Sequence, residues 1–138
     1  MKLTRQDFAC MKTAELWAEL SYCTRNKVGA VIGLNGRIIA TGYNGTPPGF
    51  DNSCEYECGS TKREVIHAEE NAILFCAKHG LKTEGCDLYC TLSPCPTCCK
   101  MIATAGIKRV FYKSKYRDLQ GLDILNKFEI ETVLIEYE

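Results

Sequence analysis

Apolar residues recur along this chain at two spacings, which predict alternating helices and strands. Near the N-terminus, Phe8, Met11 and Leu16 follow a roughly helical spacing, and Thr4 is a suitable N-cap. Short apolar runs bounded by turn residues, such as 28–32, are typical of buried strands. In chain order the predicted elements are helix 5–21, strands 28–32 and 38–43, helix 67–79, strand 86–91, helix 95–105, strand 107–112, helix 116–127 and strand 130–137.

The order of these elements predicts the fold class. Asn35 and Gly36 separate the first two strands, and Asn-Gly is the strongest short hairpin signal, so the sheet should begin with an antiparallel pair. The later strands alternate with helices, which predicts crossover connections. We therefore expect an α/β fold in which residues 1–138 form one domain, a three-layer α/β/α sandwich with a single mixed sheet of about five strands.

The segment from 43 to 63 follows neither spacing. About 20 residues without periodicity are long for a connection in a compact domain, and they indicate a functional loop or an insertion. The loop contains Cys54 and Cys58. These two thiols can contribute to a second, structural zinc site with ligands from elsewhere, or they can be reduced thiols with no metal.

Charge and composition narrow the class of protein. Seventeen Lys and Arg residues balance seventeen Asp and Glu residues, and a protein that binds long nucleic acid usually has a basic excess. The first seven residues show no signal-peptide pattern, and no run of about 18 apolar residues predicts a membrane span. We expect a cytoplasmic protein without a membrane partner, in which most of the ten cysteines are free thiols or metal ligands.

Two short motifs contain the candidate chemistry. His67 and Glu69 are separated by one alanine, and Cys95 and Cys98 follow Pro94 as a CxxC pair. Residues three apart share one face of a helix, so the two thiols can bind one ion. One His and two Cys are three zinc ligands and leave the fourth position open, as in catalytic zinc sites. The carboxylate of Glu69 is then available to move protons.

Other interpretations of these motifs exist. An isolated CxxC pair is typical of a zinc knuckle or of a redox-active pair. A zinc domain that serves only as an interaction module is a further alternative, but it would not need the unligated carboxylate of Glu69. The combination of H-x-E with P-C-x-x-C matches the signature of zinc nucleobase deaminases and favours a deaminase-type site over these alternatives.

Three blocks extend this likeness over nearly the whole chain. They are Val-Gly-Ala-Val-Ile (28–32) through Gly-Tyr-Asn-Gly (42–45), His-Ala-Glu-Glu-Asn-Ala-Ile (67–73), and Leu-Tyr-Cys-Thr-Leu-Ser-Pro-Cys (88–95) with Cys98. On these blocks the chain resembles the deoxycytidylate (dCMP) deaminases of the cytidine-deaminase-like superfamily. Gly-Tyr-Asn-Gly before Thr-Pro-Pro-Gly, and His-Ala-Glu before Glu-Asn-Ala-Ile, narrow the resemblance to the dCMP branch.

The resemblance implies a set of site residues. Zinc would bind to His67, Cys95 and Cys98, with Glu69 as the proton shuttle. The implied substrate contacts are Asn44 at the sugar, Ser93 near the amino group of the base, Tyr116 near the phosphate, and Arg25, Asn26 and Lys27 as polar contacts to the nucleotide.

The resemblance also implies the reaction, the assembly and the regulation. Family members convert dCMP to dUMP with release of ammonia, and many are homohexamers activated by dCTP and inhibited by dTTP. A related activity on dCTP, on free cytidine or deoxycytidine, or on tRNA adenosine stays open, although the neutral net charge argues mildly against tRNA.

Two predicted bends offer donors for a phosphate group. Arg25 and Lys27 lie in the bend before the first strand, and Tyr116 and Arg117 lie in the bend after the strand 107–112. Charge-assisted hydrogen bonds to phosphate are strong, which favours a nucleoside monophosphate as substrate. The alternative is that these cations are solvated surface charges.

Overall fold

One five-stranded sheet lies between helices on its two faces. The structure is a computed structural model, and it describes residues 2–115 and 119–137. In chain order the elements are α1 (Arg5–Ala18), β1 (Gly29–Leu34), β2 (Arg37–Tyr43), α2 (Ala68–His79), β3 (Asp87–Leu92), α3 (Pro96–Thr104), β4 (Arg109–Ser114), α4 (Gln120–Lys127) and β5 (Glu131–Leu134).

The sheet is mixed, as the sequence predicts. Its strand order is β2-β1-β3-β4-β5. Strand β1 is antiparallel to both β2 and β3, whereas β3, β4 and β5 are parallel. At the β1–β2 hairpin, Asn35 and Gly36 have φ values of 52° and 79°. Positive φ at both central residues is the geometry that Asn-Gly favours in two-residue hairpins.

The two faces of the sheet support separate apolar clusters. Successive strand residues point to opposite faces. Accordingly Val31, Tyr89 and Phe111 pack under α1, and the rings of Tyr89 and Phe111 stack with centroids 4.6 Å apart. Ile32 and Leu88 point the other way, into the cluster formed with α2, α3 and α4. This confirms the predicted three-layer α/β/α sandwich.

The boundaries differ from the predicted ones where tertiary contacts decide. Helix α1 ends at Ala18, three residues before the predicted end, because the chain turns there and the hydroxyl of Ser21 donates to the carbonyl of Asn44 at 2.8 Å. Strand β5 ends at Leu134, since it pairs only along β4. Helix α4 begins at Gln120, and residues 116–118 of the predicted helix lie outside the described residues.

Two close approaches bring helix N-termini toward the sheet. A Cβ atom at Gly42 would collide with the carbonyl oxygen of Ala68, so only glycine lets α2 approach β2 this closely. The side-chain amide of Asn71 in α2 donates to the backbone carbonyl of Tyr43 in β2 at 2.7 Å and fixes the same contact. On the same face of the sheet, a Cβ at Gly121 in the first turn of α4 would collide with the carbonyl of Pro94, where β3 leads into α3.

None of the four helices in the described part of the chain combines the length and the apolarity that a membrane crossing requires.

Candidate active site

The N-termini of α2 and α3 present the residues of the two sequence motifs. His67 is the N-cap of α2, and its backbone N–H donates to Glu70 Oε1 at 3.1 Å. Cys95 is the N-cap of α3, followed by Pro96 in the first turn, where the missing N–H costs little. Cys98 lies one turn further along the same helix. The two helix ends therefore place three metal-ligating side chains together.

The distances in this group fit a zinc ion. His67 Nδ1 lies 3.3 Å from Cys98 Sγ and 3.6 Å from Cys95 Sγ. All three ligand atoms lie within 4.8 Å of one another. With typical Zn–S and Zn–N bond lengths, a tetrahedral ion separates a nitrogen from a sulfur ligand by about 3.5 Å. The structure thus brings together the three ligands that the sequence predicts, and three ligands leave one tetrahedral position for water or substrate.

The two thiols of this group differ in acidity. The Cys98 S–H donates to Cys95, and together with the hydrogen bond from His67 it lowers the pKa of Cys95 to about 4 against the opposing effect of burial. The same hydrogen bond, together with burial, raises the pKa of Cys98. The thiolate of Cys95 therefore forms more readily than that of Cys98. Metals bind the thiolate form of cysteine, so metal binding releases the thiol protons.

Glu69 is a buried carboxyl group next to the ligands. Its side chain is 4% exposed. Burial raises the pKa of Glu69 to about 7, although the charge of His67 and a hydrogen bond with Cys98 lower it. A carboxyl group with a pKa near neutrality can both accept and donate a proton at physiological pH. Glu69 lines the same pocket as His67 and Cys95.

Most of the predicted substrate contacts line this pocket. Arg25, Asn26, Asn44 and Ser93 all do so. Lys27 instead lines a neighbouring cavity with Glu15 and Lys113, whose side chains are 2.7 Å apart. The predicted contact Tyr116 lies outside the described residues.

Asn44 is also a structural residue. Its Oδ1 accepts the backbone N–H of Val28 at 2.8 Å, and its Nδ2 donates to the carbonyl of Asn26 at 2.8 Å. The side chain therefore fixes the bend before β1, and only one of its two N–H donors is needed for this. Ser93 is buried, and its backbone N–H donates to the carbonyl of Ser114 at 2.8 Å.

The long loop also contributes pocket residues that the sequence analysis missed. Glu55, Thr61 and Val65 line the pocket from this loop, and Cys23 lines it from the bend after α1. The only signal in the sequence was the length of the aperiodic segment, which indicated a functional loop without naming residues.

A disulfide joins Cys23 of this bend to Cys54 of the loop. Cys54 therefore has a covalent partner 31 residues earlier that the sequence analysis did not identify, and it is neither a reduced thiol nor a thiolate available to a second zinc site with Cys58. Cys58 is exposed and lies 3.1 Å from the hydroxyl of Ser60. Eight of the ten cysteines, Cys58 among them, are free, in line with the expectation that most of the cysteines are not in disulfides. In the described part of the chain, a second group of metal-ligating residues combines Cys23, Cys54 and Glu55, but its two sulfurs are bonded to each other.

Comparisons with known proteins find related deaminases. The family model for the cytidine and deoxycytidylate deaminase zinc-binding region matches residues 4–114. The deoxycytidylate deaminase of Enterobacteria phage T4 is 42% identical, over 77% of this chain and 76% of the relative. ComE operon protein 2 of Bacillus subtilis is 44% identical, over 78% of this chain and 58% of that protein.

A solved structure extends the likeness to the whole fold. The dCMP deaminase from the cyanophage S-TIM5, in complex with dCMP and dUMP, superposes with a TM-score of 0.93 at 47% identity. The superposition covers 97% of this chain and 100% of the cyanophage chain. Together with the match of the family model, this shows that the chain belongs to the cytidine and deoxycytidylate deaminase family.

Proposed function

We propose that this protein is a zinc-dependent hydrolase that deaminates dCMP to dUMP and releases ammonia. The observation that supports this most directly is the meeting of the ligand atoms of His67, Cys95 and Cys98 at a pocket that His67, Cys95 and the buried carboxyl group of Glu69 line. The relative from phage T4 is named deoxycytidylate deaminase, and the cyanophage enzyme was solved with dCMP and dUMP.

His67, Cys95 and Cys98 would hold the zinc ion. When bound, zinc lowers the pKa of a coordinated water toward neutrality and so supplies a nucleophile near pH 7. The positive ends of two helix dipoles meet at this point, which favours the thiolate form of the cysteines. Because the three ligands come from two helix ends held against the sheet, their geometry is fixed before the substrate binds.

Glu69 would move the protons of the reaction. Its carboxylate accepts a proton from the attacking water and donates it to N3 of the cytosine ring as C4 is attacked. Glu69 then takes the remaining proton of the former water from the C4 hydroxyl and delivers it to the amino group, which leaves as ammonia as the C4–N bond breaks and C4=O forms. One carboxyl group can serve as base and acid in turn, and the burial of Glu69, which raises its pKa, favours the protonated form between the two transfers.

The remaining pocket residues would bind the nucleotide. We assign Asn44 to the sugar, Ser93 to the region of the base amino group, and Arg25 with Asn26 to the phosphate side. Lys27 and Tyr116 belong to the same proposal on the family resemblance alone. The alternative for Arg25 is a solvated surface charge, but the residue lines the pocket and its guanidinium lies 3.5 Å from the hydroxyl of Thr61.

Other expectations rest on the family resemblance and stay predictions. They are a homohexameric assembly, activation by dCTP and inhibition by dTTP. The cytoplasmic location and the single catalytic domain over 1–138 also stay predictions, and they rest on the composition and the length of the chain. Activity on dCTP, on free cytidine or deoxycytidine, or on tRNA adenosine is an alternative that a substrate panel would reveal. A zinc module without activity is disfavoured, because a structural site has no use for the buried carboxyl group of Glu69.

The first prediction concerns metal content. The purified wild type should contain about one zinc ion per chain by elemental analysis, and Cys98→Ala should lose both the zinc and the activity, because two ligands bind zinc poorly. Cys99→Ala is the matched control, since Cys99 is the buried neighbouring thiol outside the ligand group. Full zinc content in Cys98→Ala would refute the ligand assignment.

The second prediction concerns Glu69. Glu69→Gln keeps the size of the side chain but removes its capacity to move protons. It should retain zinc and the native unfolding temperature, while kcat for dCMP falls by at least ~10²-fold, the lower range for general acid–base catalysis. A variant that turned over dCMP at the wild-type rate would show that another group moves the protons.

The third prediction concerns the phosphate. If Arg25 contacts it, Arg25→Ala should lower kcat/KM for dCMP roughly 10- to 100-fold, the range expected for a hydrogen bond to a charged group, and should change kcat/KM for deoxycytidine little. Arg63→Ala, which removes an exposed cation from the long loop, is the control. Equal wild-type efficiency on dCMP and deoxycytidine would instead indicate a nucleoside deaminase.

A further inference from the structure

A small hairpin in the long loop places two side chains at the pocket. Glu55 and Thr61 form an isolated antiparallel bridge, and the backbone N–H of Lys62 donates to the carbonyl of Cys54 at 2.7 Å. Residues opposite each other in an antiparallel pair have Cβ atoms about 5 Å apart. Glu55 and Thr61 are therefore neighbours in space, and both line the pocket.

The carboxylate of Glu55 fixes the backbone of the bend after α1. Its Oε2 accepts the backbone N–H of Thr24 at 3.1 Å and that of Arg25 at 3.3 Å. Two donors on one oxygen hold two consecutive peptide units in one orientation. The neighbouring Thr61 meets the guanidinium of Arg25 itself. The hairpin thus contacts both the backbone and the side chain of Arg25.

The rest of the bend is held independently. The Cys23–Cys54 disulfide, with Cα atoms 5.0 Å apart, joins the residues that precede Thr24 and Glu55 in the two segments. At the other end of the bend, the side chain of Asn44 holds two backbone groups. Between these two attachments, the carboxylate of Glu55 determines how residues 24 and 25 are oriented.

Charge argues that Glu55 does not itself bind the phosphate. Partial burial raises the pKa of its carboxyl group, but the hydrogen bonds with Thr24 and Arg25 and the charge of Arg25 lower it, and the net direction is downward. The group is therefore ionised at neutral pH. A carboxylate repels a phosphate dianion at close range, so a role in orienting the cation fits better than direct contact.

We propose that Glu55 is a positioning residue for nucleotide recognition: it orients residues 24 and 25 so that the guanidinium of Arg25 faces the phosphate of the substrate. This inference rests on the proposed function. It gives the long loop a specific role, since the loop supplies the carboxylate that directs a cation located 30 residues earlier.

The experiment compares Glu55→Ala and Glu55→Gln with the wild type, on dCMP and on deoxycytidine. Glu55→Ala should raise KM for dCMP about tenfold, with kcat within about twofold of the wild type and deoxycytidine kinetics little changed, because the lost contact acts only through the phosphate. Glu55→Gln keeps a carbonyl oxygen as acceptor and should recover part of the loss. Glu57→Ala removes the same charge from an exposed position of the same hairpin and should behave as the wild type.

A double-mutant cycle with Arg25→Ala separates positioning from an independent effect. If Glu55 acts through Arg25, then Glu55→Ala should change dCMP kinetics by less than about twofold in the Arg25→Ala background. The full tenfold effect in that background would overturn the proposal. Equal losses on dCMP and deoxycytidine, or a loss in kcat alone, would also overturn it and indicate a general structural role.

Two controls keep the outcomes distinct. A count of free thiols in denaturant checks that the Cys23–Cys54 disulfide is present in each variant, and Glu55→Gln tests the proposal if Glu55→Ala does not fold. The wild-type ratio of kcat/KM for dCMP to that for deoxycytidine tests the proposed function by itself. A high ratio that Glu55→Ala and Glu55→Gln leave unchanged would refute the role of Glu55 and keep the function.

Discussion

The site depends on one geometric constraint: the N-termini of two helices must meet at a single point outside the sheet. His67 begins α2 and Cys95 begins α3, and their ligand atoms are 3.6 Å apart although 28 residues separate them in the chain. This closeness requires glycine at two places, Gly42 under α2 and Gly121 beside the turn into α3. Any side chain with a Cβ atom at either position would displace a helix end, and the metal-binding residue at that end would move with it.

The same convergence explains why the chemistry of the site is preorganised. Helix dipoles and close thiols lower the cost of placing negative charge where a cation would sit. Glu69 is buried in the first turn of α2, and this burial raises its pKa. The packing of α2 and the pKa of Glu69 thus depend on the same burial, and a substitution in the core beneath α2 would change both.

The three residues of the metal-binding group could be predicted from the sequence, and the family resemblance added four residues of the pocket wall, but the pocket residues of the long loop could not be predicted. Local spacing placed Cys95 and Cys98 within one helical turn, and the combined H-x-E and P-C-x-x-C signature joined them to His67, 28 residues earlier than Cys95. The contact of Glu55 with the bend at Thr24 and the disulfide between Cys23 and Cys54 join segments about 30 residues apart that have no periodicity. No local pattern indicates such pairs, because their closeness follows from how α1 ends and how the loop folds back. Within the bend before β1, Arg25 lines the pocket, whereas Lys27, two residues later, lines a neighbouring cavity.

The central claim is a zinc centre with three protein ligands and one open position, and X-ray absorption at the zinc edge of the purified wild type tests it directly. The account predicts two sulfur ligands at about 2.3 Å, one imidazole nitrogen at about 2.0–2.1 Å and one further light atom from water. Four sulfur or nitrogen ligands from the protein would describe a closed structural site. A zinc shell without sulfur would show that Cys95 and Cys98 do not hold the metal, and either result would contradict the account.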